Sequence, residues 1–176
     1  NSHITYPANF QLIAAMNPCR CGYLGDANKE CKKAPNCGEE YKNKISGPLL
    51  DRIDMIVEVP QIDIFFTPKE TSETSSEVRK RVIAAREIQN ERYKSENEME
   101  NKPKLNYRID RKILEKYSKI DEEFQFILKK SVEKMSTSIR GITRILRVAR
   151  TIADLENSDI ILKHHLFEAI NYRRKL

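Results

Sequence analysis

Ser46-Gly47-Pro48-Leu49-Leu50-Asp51-Arg52-Ile53-Asp54 runs directly into Met55-Ile56-Val57-Glu58-Val59, which sets an arginine at the threshold of an apolar stretch. Residues 53–59 read as a β-strand closed by Pro60. Residues 10–16, Phe10-Gln11-Leu12-Ile13-Ala14-Ala15-Met16, read as another, stopped by Asn17-Pro18. Proline there removes a donor and pushes the preceding residue to extended geometry. The near-continuous apolarity of 10–16 suits a central parallel strand, buried on both faces. A guanidinium at a strand entrance, in a chain with no phosphate cradle, suggests a group that acts on a phosphate held elsewhere.

Outward from this stretch the composition changes twice. Residues 18–47 turn to Cys, Gly, Asn, Lys and Pro, a long loop that needs a metal or a neighbour to order it. Residues 61–76 carry Pro and Ser/Thr breaks, and the domain boundary is placed near residue 67, giving segments 1–66 and 67–176. Beyond it the pattern is helical. A helix over 77–96, with Ser75-Ser76-Glu77 at its start, offers Val78, Val82, Ala85, Ile88 and Gln89. After a polar break over 95–104 containing Pro103, Asp110 can cap a helix bearing Ile113, Leu114 and Tyr117. Asp121 can cap another bearing Phe124, Ile127, Leu128 and Met135. Ile142, Ile145, Leu146, Ala149, Ile152 and Ala153 fall at i, i+3, i+4, i+7, i+10 and i+11, within an arc of about 120°. Arg140, Arg144, Arg147 and Arg150 lie on the opposite side of that wheel, where a solvated or ion-paired face is the plain expectation. A last helix over 163–172 presents Leu166, Ala169 and Ile170. The fold class is therefore an α/β piece with two core strands and a long loop, followed by an all-α bundle.

The 176 residues allow one domain or two small ones. Charged residues make up 33 % and apolar residues 39 %, with a mean hydropathy of −0.64 and a periodic apolar pattern, so a folded chain with a polar surface is expected. No apolar run approaches the ~20 residues that span a bilayer, and no secretion signal opens the chain, so a soluble, cytoplasmic protein is expected. The opening Asn1-Ser2-His3 reads as a cloning remnant on an excised piece, and His3 is given no role. A net charge of +6 permits polyanion partners without requiring them. The basic tail at Tyr172, Arg173, Arg174 and Lys175 reads as solubilising, and no nucleic-acid reader motif is visible.

No G-x-x-x-x-G-K-[ST] occurs, so the chain alone lacks the loop that wraps phosphates and places a lysine and a magnesium ligand. It is not expected to hydrolyse nucleotide by itself. His164 and His165, adjacent in a helix, read as surface or capping residues.

Three separated motifs then carry a resemblance. Leu12-Ile13-Ala14-Ala15-Met16-Asn17-Pro18-Cys19, the Ile45 to Asp54 stretch, and Ser138-Ile139-Arg140-Gly141 leading to Ala149-Arg150-Thr151-Ile152-Ala153-Asp154-Leu155 resemble Mg-chelatase-like AAA+ ATPases of the ComM/YifB type. The resemblance covers about the whole chain. It implies the C-terminal part of a P-loop AAA+ core over 1–66 and the α-helical lid over 67–176. It implies that Asn17 is the sensor 1 polar residue, at the end of a strand where ligands gather in open α/β sheets. Arg52 matches the arginine finger, acting in trans; a structural ion pair with Asp51 or Asp54 is the competing reading, and the two are compatible. Arg140 matches sensor 2 at the start of the lid helix, in cis or in trans. The resemblance further implies ATP and Mg²⁺ in the full-length protein, assembly as a homo-oligomeric ring of hexamer type, and remodelling of DNA by branch migration in natural transformation. The alternative is a zinc-stapled, non-enzymatic helical module that binds nucleic acid. A chelatase-type role in inserting Mg²⁺ into a porphyrin stands third and would need partner subunits.

Cys19, Cys21, Cys31 and Cys37 form C-x-C, nine residues, C, five residues, C. Four thiolates within 19 positions can surround one tetrahedral Zn²⁺. Against this, C-x-C is tighter than the usual ligand spacing, and the family's second pair tends to be C-x-C, whereas here Cys37 is displaced and position 33 is Lys33. Structural zinc and reduced, unliganded thiols both stay open on the sequence.

Overall fold

The structure, a computed structural model, describes residues 3–6, 10–25, 29, 31–59, 73–96, 105–118, 122–135 and 138–173, with backbone alone at 122, 123 and 131–135. Its contacts divide the chain into two compact units, Asn1–Ser46 and Gly47–Leu176. The boundary expected near residue 67, the Pro103 break, the Asp121 cap and the tail residues Arg174 and Lys175 lie outside the described residues.

In the first unit, residues 10–17 form neither helix nor ladder, and their apolar side chains are open to solvent, Phe10 at 79 % and Ile13 at 84 %. The expected strand is thus corrected to an unpaired segment. A strand exists only by bonding a neighbour, and none lies beside this run among the described residues. The long loop also differs from expectation, because α1 (Asn36–Lys42) forms within it. Gly38 in α1 sits against Leu24, whose Cδ2 would lie 2.5 Å from a Cβ there and would have to move aside for one. Buried Cys19, Cys31 and Cys37, with Leu24 packed against them, form the core of this unit.

In the second unit, α2 (Gly47–Arg52) occupies the stretch expected to lead straight into a strand, so Arg52 ends a short helix. Residues 53–59 follow without helix or strand, bending at Asp54, with Met55, Val57 and Val59 exposed. The Ile56 N–H donates to the Tyr172 carbonyl at 2.8 Å, but no sheet forms among the described residues. Here too the strand expectation is corrected for want of a neighbour.

The rest is helical, as the periodicity indicates. α3 (Ser75–Arg92) starts at Thr74, whose side chain accepts the Glu77 amide while Glu77 reaches back to the Thr74 N–H, a reciprocal cap. After a single 3₁₀ turn at Asn106–Arg108 come α4 (Arg111–Ser118), α5 (Glu122–Met135), α6 (Ile139–Leu155) and α7 (Lys163–Asn171). α6 is central, packing on α7, α3 and α4. Its stripe delivers Ile145, Leu146 and Ala149 to a core completed by Tyr93, Ile109, Leu114, Phe124, Leu128, Ile161, Leu166 and Ala169. Each large apolar side chain buried there contributes about 1.5–3 kcal/mol. α3 contributes less than its pattern suggested. Only Ala85 and Gln89 of that helix are buried, and Val78 stays 38 % exposed.

The arginine face of α6 takes the ion-paired form of the expectation at Arg144 and Arg150, and Arg150 is buried rather than facing solvent. Arg150 is fully buried, donating from Nε to Asp154 at 3.1 Å and from its two terminal nitrogens to the carbonyls of Asp159 and Ser158. Asp154, also buried, receives Arg92 of α3 through both guanidinium nitrogens and the Asn106 side-chain amide at 2.8 Å. Tyr93 donates to Asn106 Oδ1 at 2.8 Å and Gln89 Oε1 accepts the Asn106 N–H at 3.1 Å. α3 packs on the flank of α6 that a helical wheel marks as polar, so this network replaces solvent there. Satisfied buried charges of this sort specify one packing arrangement.

Candidate anion site and cysteine cluster

α2 is too short to hold itself, and its residues are anchored to the start of α6 and the end of α7. Ser138, the N-cap of α6, accepts the Gly141 amide at 3.2 Å and donates to Asp51 at 3.1 Å. Arg173, just past α7, donates to Asp51 at 3.0 Å and to the Ile53 carbonyl. Its side chain is only 8 % exposed, so the reading of Tyr172 and Arg173 as a solubilising tail is corrected: both are structural. Partial burial pushes the Asp51 carboxyl up, but Ser138 and Arg173 outweigh it and hold the group below its usual range.

Asp54 pairs with Arg144, on the second turn of α6. Both carboxylates next to Arg52 are therefore engaged by other residues, and the ion pair of Arg52 with Asp51 or Asp54 does not form. Arg52 is exposed and, among the described residues, donates only to the Pro48 carbonyl at 2.9 Å, a contact within its own helix. Arg140, in the first turn of α6, is also exposed and has no hydrogen bond or ion pair among the described residues. Pro48, Asp51, Arg52, Arg140 and Arg144 line one open cavity of about 310 Å³. Two guanidiniums without carboxylate partners, beside the start of a 17-residue helix, make a site suited to a multiply charged anion such as phosphate.

Sequence reasoning singled out Arg52 and Arg140, and the structure brings them to one cavity. It missed Arg144, Asp51, Ser138 and Arg173 as the frame of that cavity. The only signal for them was the density of charge in the two motifs. Asn17, exposed at the end of the 10–17 segment, belongs to the first unit and is described within it.

The four cysteines do come together. Their sulfurs all lie within 4.8 Å of one another, with Cys19 to Cys21 at 3.2 Å and Cys31 to Cys37 at 3.0 Å, and none is disulfide-bonded. Cys21 is exposed and the others are buried. Burial pushes the Cys19 thiol up, but hydrogen bonds from Cys21, Cys37 and the Leu24 and Cys21 backbone bring it down to about 6. Cys37 moves the other way, raised by its bond to Cys31 and by burial. A second group, Glu156, His164 and His165, also lies within 4.8 Å. There the Leu162 N–H donates to His165 Nδ1 at 3.0 Å, so a neutral ring carries its proton on Nε2, facing Glu156 at 2.9 Å. A protonated nitrogen is no ligand, and His165 serves as the cap of α7, in line with the sequence reading.

Comparison with known proteins identifies the family. Residues 1–65 match the magnesium chelatase subunit ChlI family and residues 72–173 match its C-terminal family. The chain belongs to the magnesium chelatase-like proteins. It is 39 % identical over 176 residues to competence protein ComM of Haemophilus influenzae, covering 98 % of this chain and 32 % of that protein. It is 40 % identical over 172 residues to the uncharacterized protein YifB of Escherichia coli, covering 97 % of this chain and 32 % of that protein. A YifB of Salmonella typhimurium is 41 % identical over 172 residues, with the same coverage. The chain thus spans about a third of the length of these relatives. Among the described residues no helix is long and apolar enough to cross a membrane.

Proposed function

We propose that this chain is the sensor-and-lid portion of a cytoplasmic, ring-forming AAA+ ATPase, and that its open arginine cavity receives the triphosphate bound by a neighbouring subunit. The observation that carries the reading is the shared cavity of Arg52 and Arg140 with neither guanidinium neutralised. In phosphoryl transfer, charge spreads over the equatorial oxygens. A planar, permanently charged fork delivered to them stabilises the transition state by roughly 10³–10⁵ in rate. Arg52 is assigned that role. Because Arg140 opens onto the same cavity, it meets the same triphosphate, so the sensor 2 contact is made across the interface together with the finger. Asn17 is assigned to the sensor 1 position, where an amide orients the attacking water without acting as a base. ATP and Mg²⁺ belong to the longer protein, and the 176-residue chain alone is inactive.

The exposed apolar runs at 10–16 and 53–59 are consistent with strands that complete a sheet with the rest of the ATPase core. The framed contact of α2 with both ends of the lid lets a change at the phosphate be passed to the helical unit as a body. For the work performed, the ComM relative's designation as a competence protein supports DNA remodelling, including branch migration during transformation, by a hexameric ring. The test is ATP turnover by the longer protein. Arg52→Ala and Arg140→Ala are each expected to abolish turnover while leaving nucleotide binding in place. Wild-type turnover in Arg52→Ala would remove the reading.

A further inference from the structure

We infer that Cys19, Cys21, Cys31 and Cys37 bind one zinc ion that organises the loop between Asn17 and α2. Four sulfurs around zinc at about 2.3 Å would be spaced about 3.8 Å apart, the edge of the tetrahedron. The sulfurs here, at 3.0 and 3.2 Å within the two contact pairs and all within 4.8 Å, already enclose a volume of that size. Thiols at these separations are not disulfides, and neutral S–H groups have no strong reason to converge four at a time.

The backbone supplies a second, independent observation. Backbone amides lie within reach of the sulfurs, those of Cys21 and Leu24 near Cys19, that of Tyr23 near Cys21 and that of Lys33 near Cys31. Amides so placed offset the negative charge of bound thiolates, as outer-shell donors do around metal centres. Gly22, at φ +83°, supplies the left-handed turn that folds the first pair back. Among the described residues the unit has little else to hold it, since its buried apolar cluster is three cysteines with Leu24 packed against them. A segment this small needs a staple, and a bound metal would provide it.

Thiolate-only, four-coordinate chemistry selects zinc over hard cations such as Mg²⁺ or Ca²⁺. All four positions are protein ligands, which makes the site structural rather than catalytic. Asn17 and Gly22 are near neighbours, the Asn17 side-chain nitrogen lying 3.9 Å from where a Cβ on Gly22 would sit, so filling the site would bear on the residue assigned to sensor 1. Only that last consequence rests on the ATPase reading, and metal content tests the site without it.

The experiment is elemental analysis of the purified 176-residue chain, together with titration of the metal-stripped chain with Co²⁺ alone. About one zinc per chain is expected, with cobalt giving thiolate charge-transfer bands and the visible bands of a tetrahedral complex. Cys31→Ala should bring zinc to background while the lid helices, read by circular dichroism, persist. Cys21→His, which keeps a ligand, should retain zinc. Absence of zinc in wild type with no tetrahedral cobalt spectrum would overturn the inference, as would iron as the bound metal or full zinc content in Cys31→Ala.

Discussion

Ser138 donates a hydrogen bond to Asp51 at 3.1 Å while accepting the Gly141 amide that caps α6. Asp51 precedes Arg52 and Ser138 stands two residues before Arg140, so one hydroxyl ties the frames of both open guanidiniums together. Arg173 at 3.0 Å from Asp51 and Arg144 on Asp54 complete the clasp. The two cations are therefore presented as a unit, which is what recognition of one triphosphate requires.

Ser138→Ala should remove both the cap and this tie, costing about 1 kcal/mol of stability. Urea melts of the isolated chain followed by circular dichroism measure it. The same substitution in the longer protein should lower turnover more than it lowers nucleotide binding.

Asp154→Ala should be far more damaging, at about 3–5 kcal/mol, because it leaves Arg92 and buried Arg150 without their carboxylate. Arg81→Ala, which breaks the exposed and solvent-screened pair with Glu73, should cost far less. Equal midpoints for the two variants in denaturant would mean that the Asp154 network does not support the lid.

Acid should loosen the clasp in a defined direction. Asp51, held down by Ser138 and Arg173 against its burial, and Glu156, held down by His164 and His165, have folded values below their unfolded ones. Such groups stabilise fully above the unfolded value, about 3.9 for Asp and 4.3 for Glu, and the contribution fades as pH falls through the folded value. Asp51→Asn and Glu156→Gln should therefore each lower stability at pH 6, and the gap to wild type should close as the pH is taken below about 4.

Arg52→Lys should not rescue turnover in the longer protein, since a compact ammonium lacks the bidentate fork. Arg52→Ala is expected to reduce turnover by roughly 10³–10⁵. Near-wild-type rates in Arg52→Lys would show that charge alone suffices.

The helical unit was legible because α6 repeats its apolar residues at 3.6, and Ile145, Leu146 and Ala149 are buried where that repeat puts them. Arg150 was not, since a wheel separates polar from apolar but cannot tell solvent from packed neighbours, and α3 brings Arg92 and the 3₁₀ turn brings Asn106 to that side. The helices α1 and α2, at 7 and 6 residues, are too short to show a period, and Gly47-Pro48 reads as a turn. The two apolar runs look like strands because strand pattern records what faces a neighbour, not whether the neighbour is at hand. Arg52, Arg140 and the cysteines were visible as residue types in order. That Asp51 and Asp54 are taken by other partners, leaving Arg52 open, needed three dimensions.

The most direct test of the account is complementation in mixed rings of the longer protein. Subunits carrying Arg52→Ala and Arg140→Ala together, and subunits whose phosphate-binding loop is disabled, should each be inactive alone. Mixed, they should regain ATP turnover, because an intact loop in the first kind then faces an intact pair of arginines in the second. Mixtures in which both subunits assemble yet remain as inactive as either parent would contradict the claim that this cavity serves a neighbour's nucleotide.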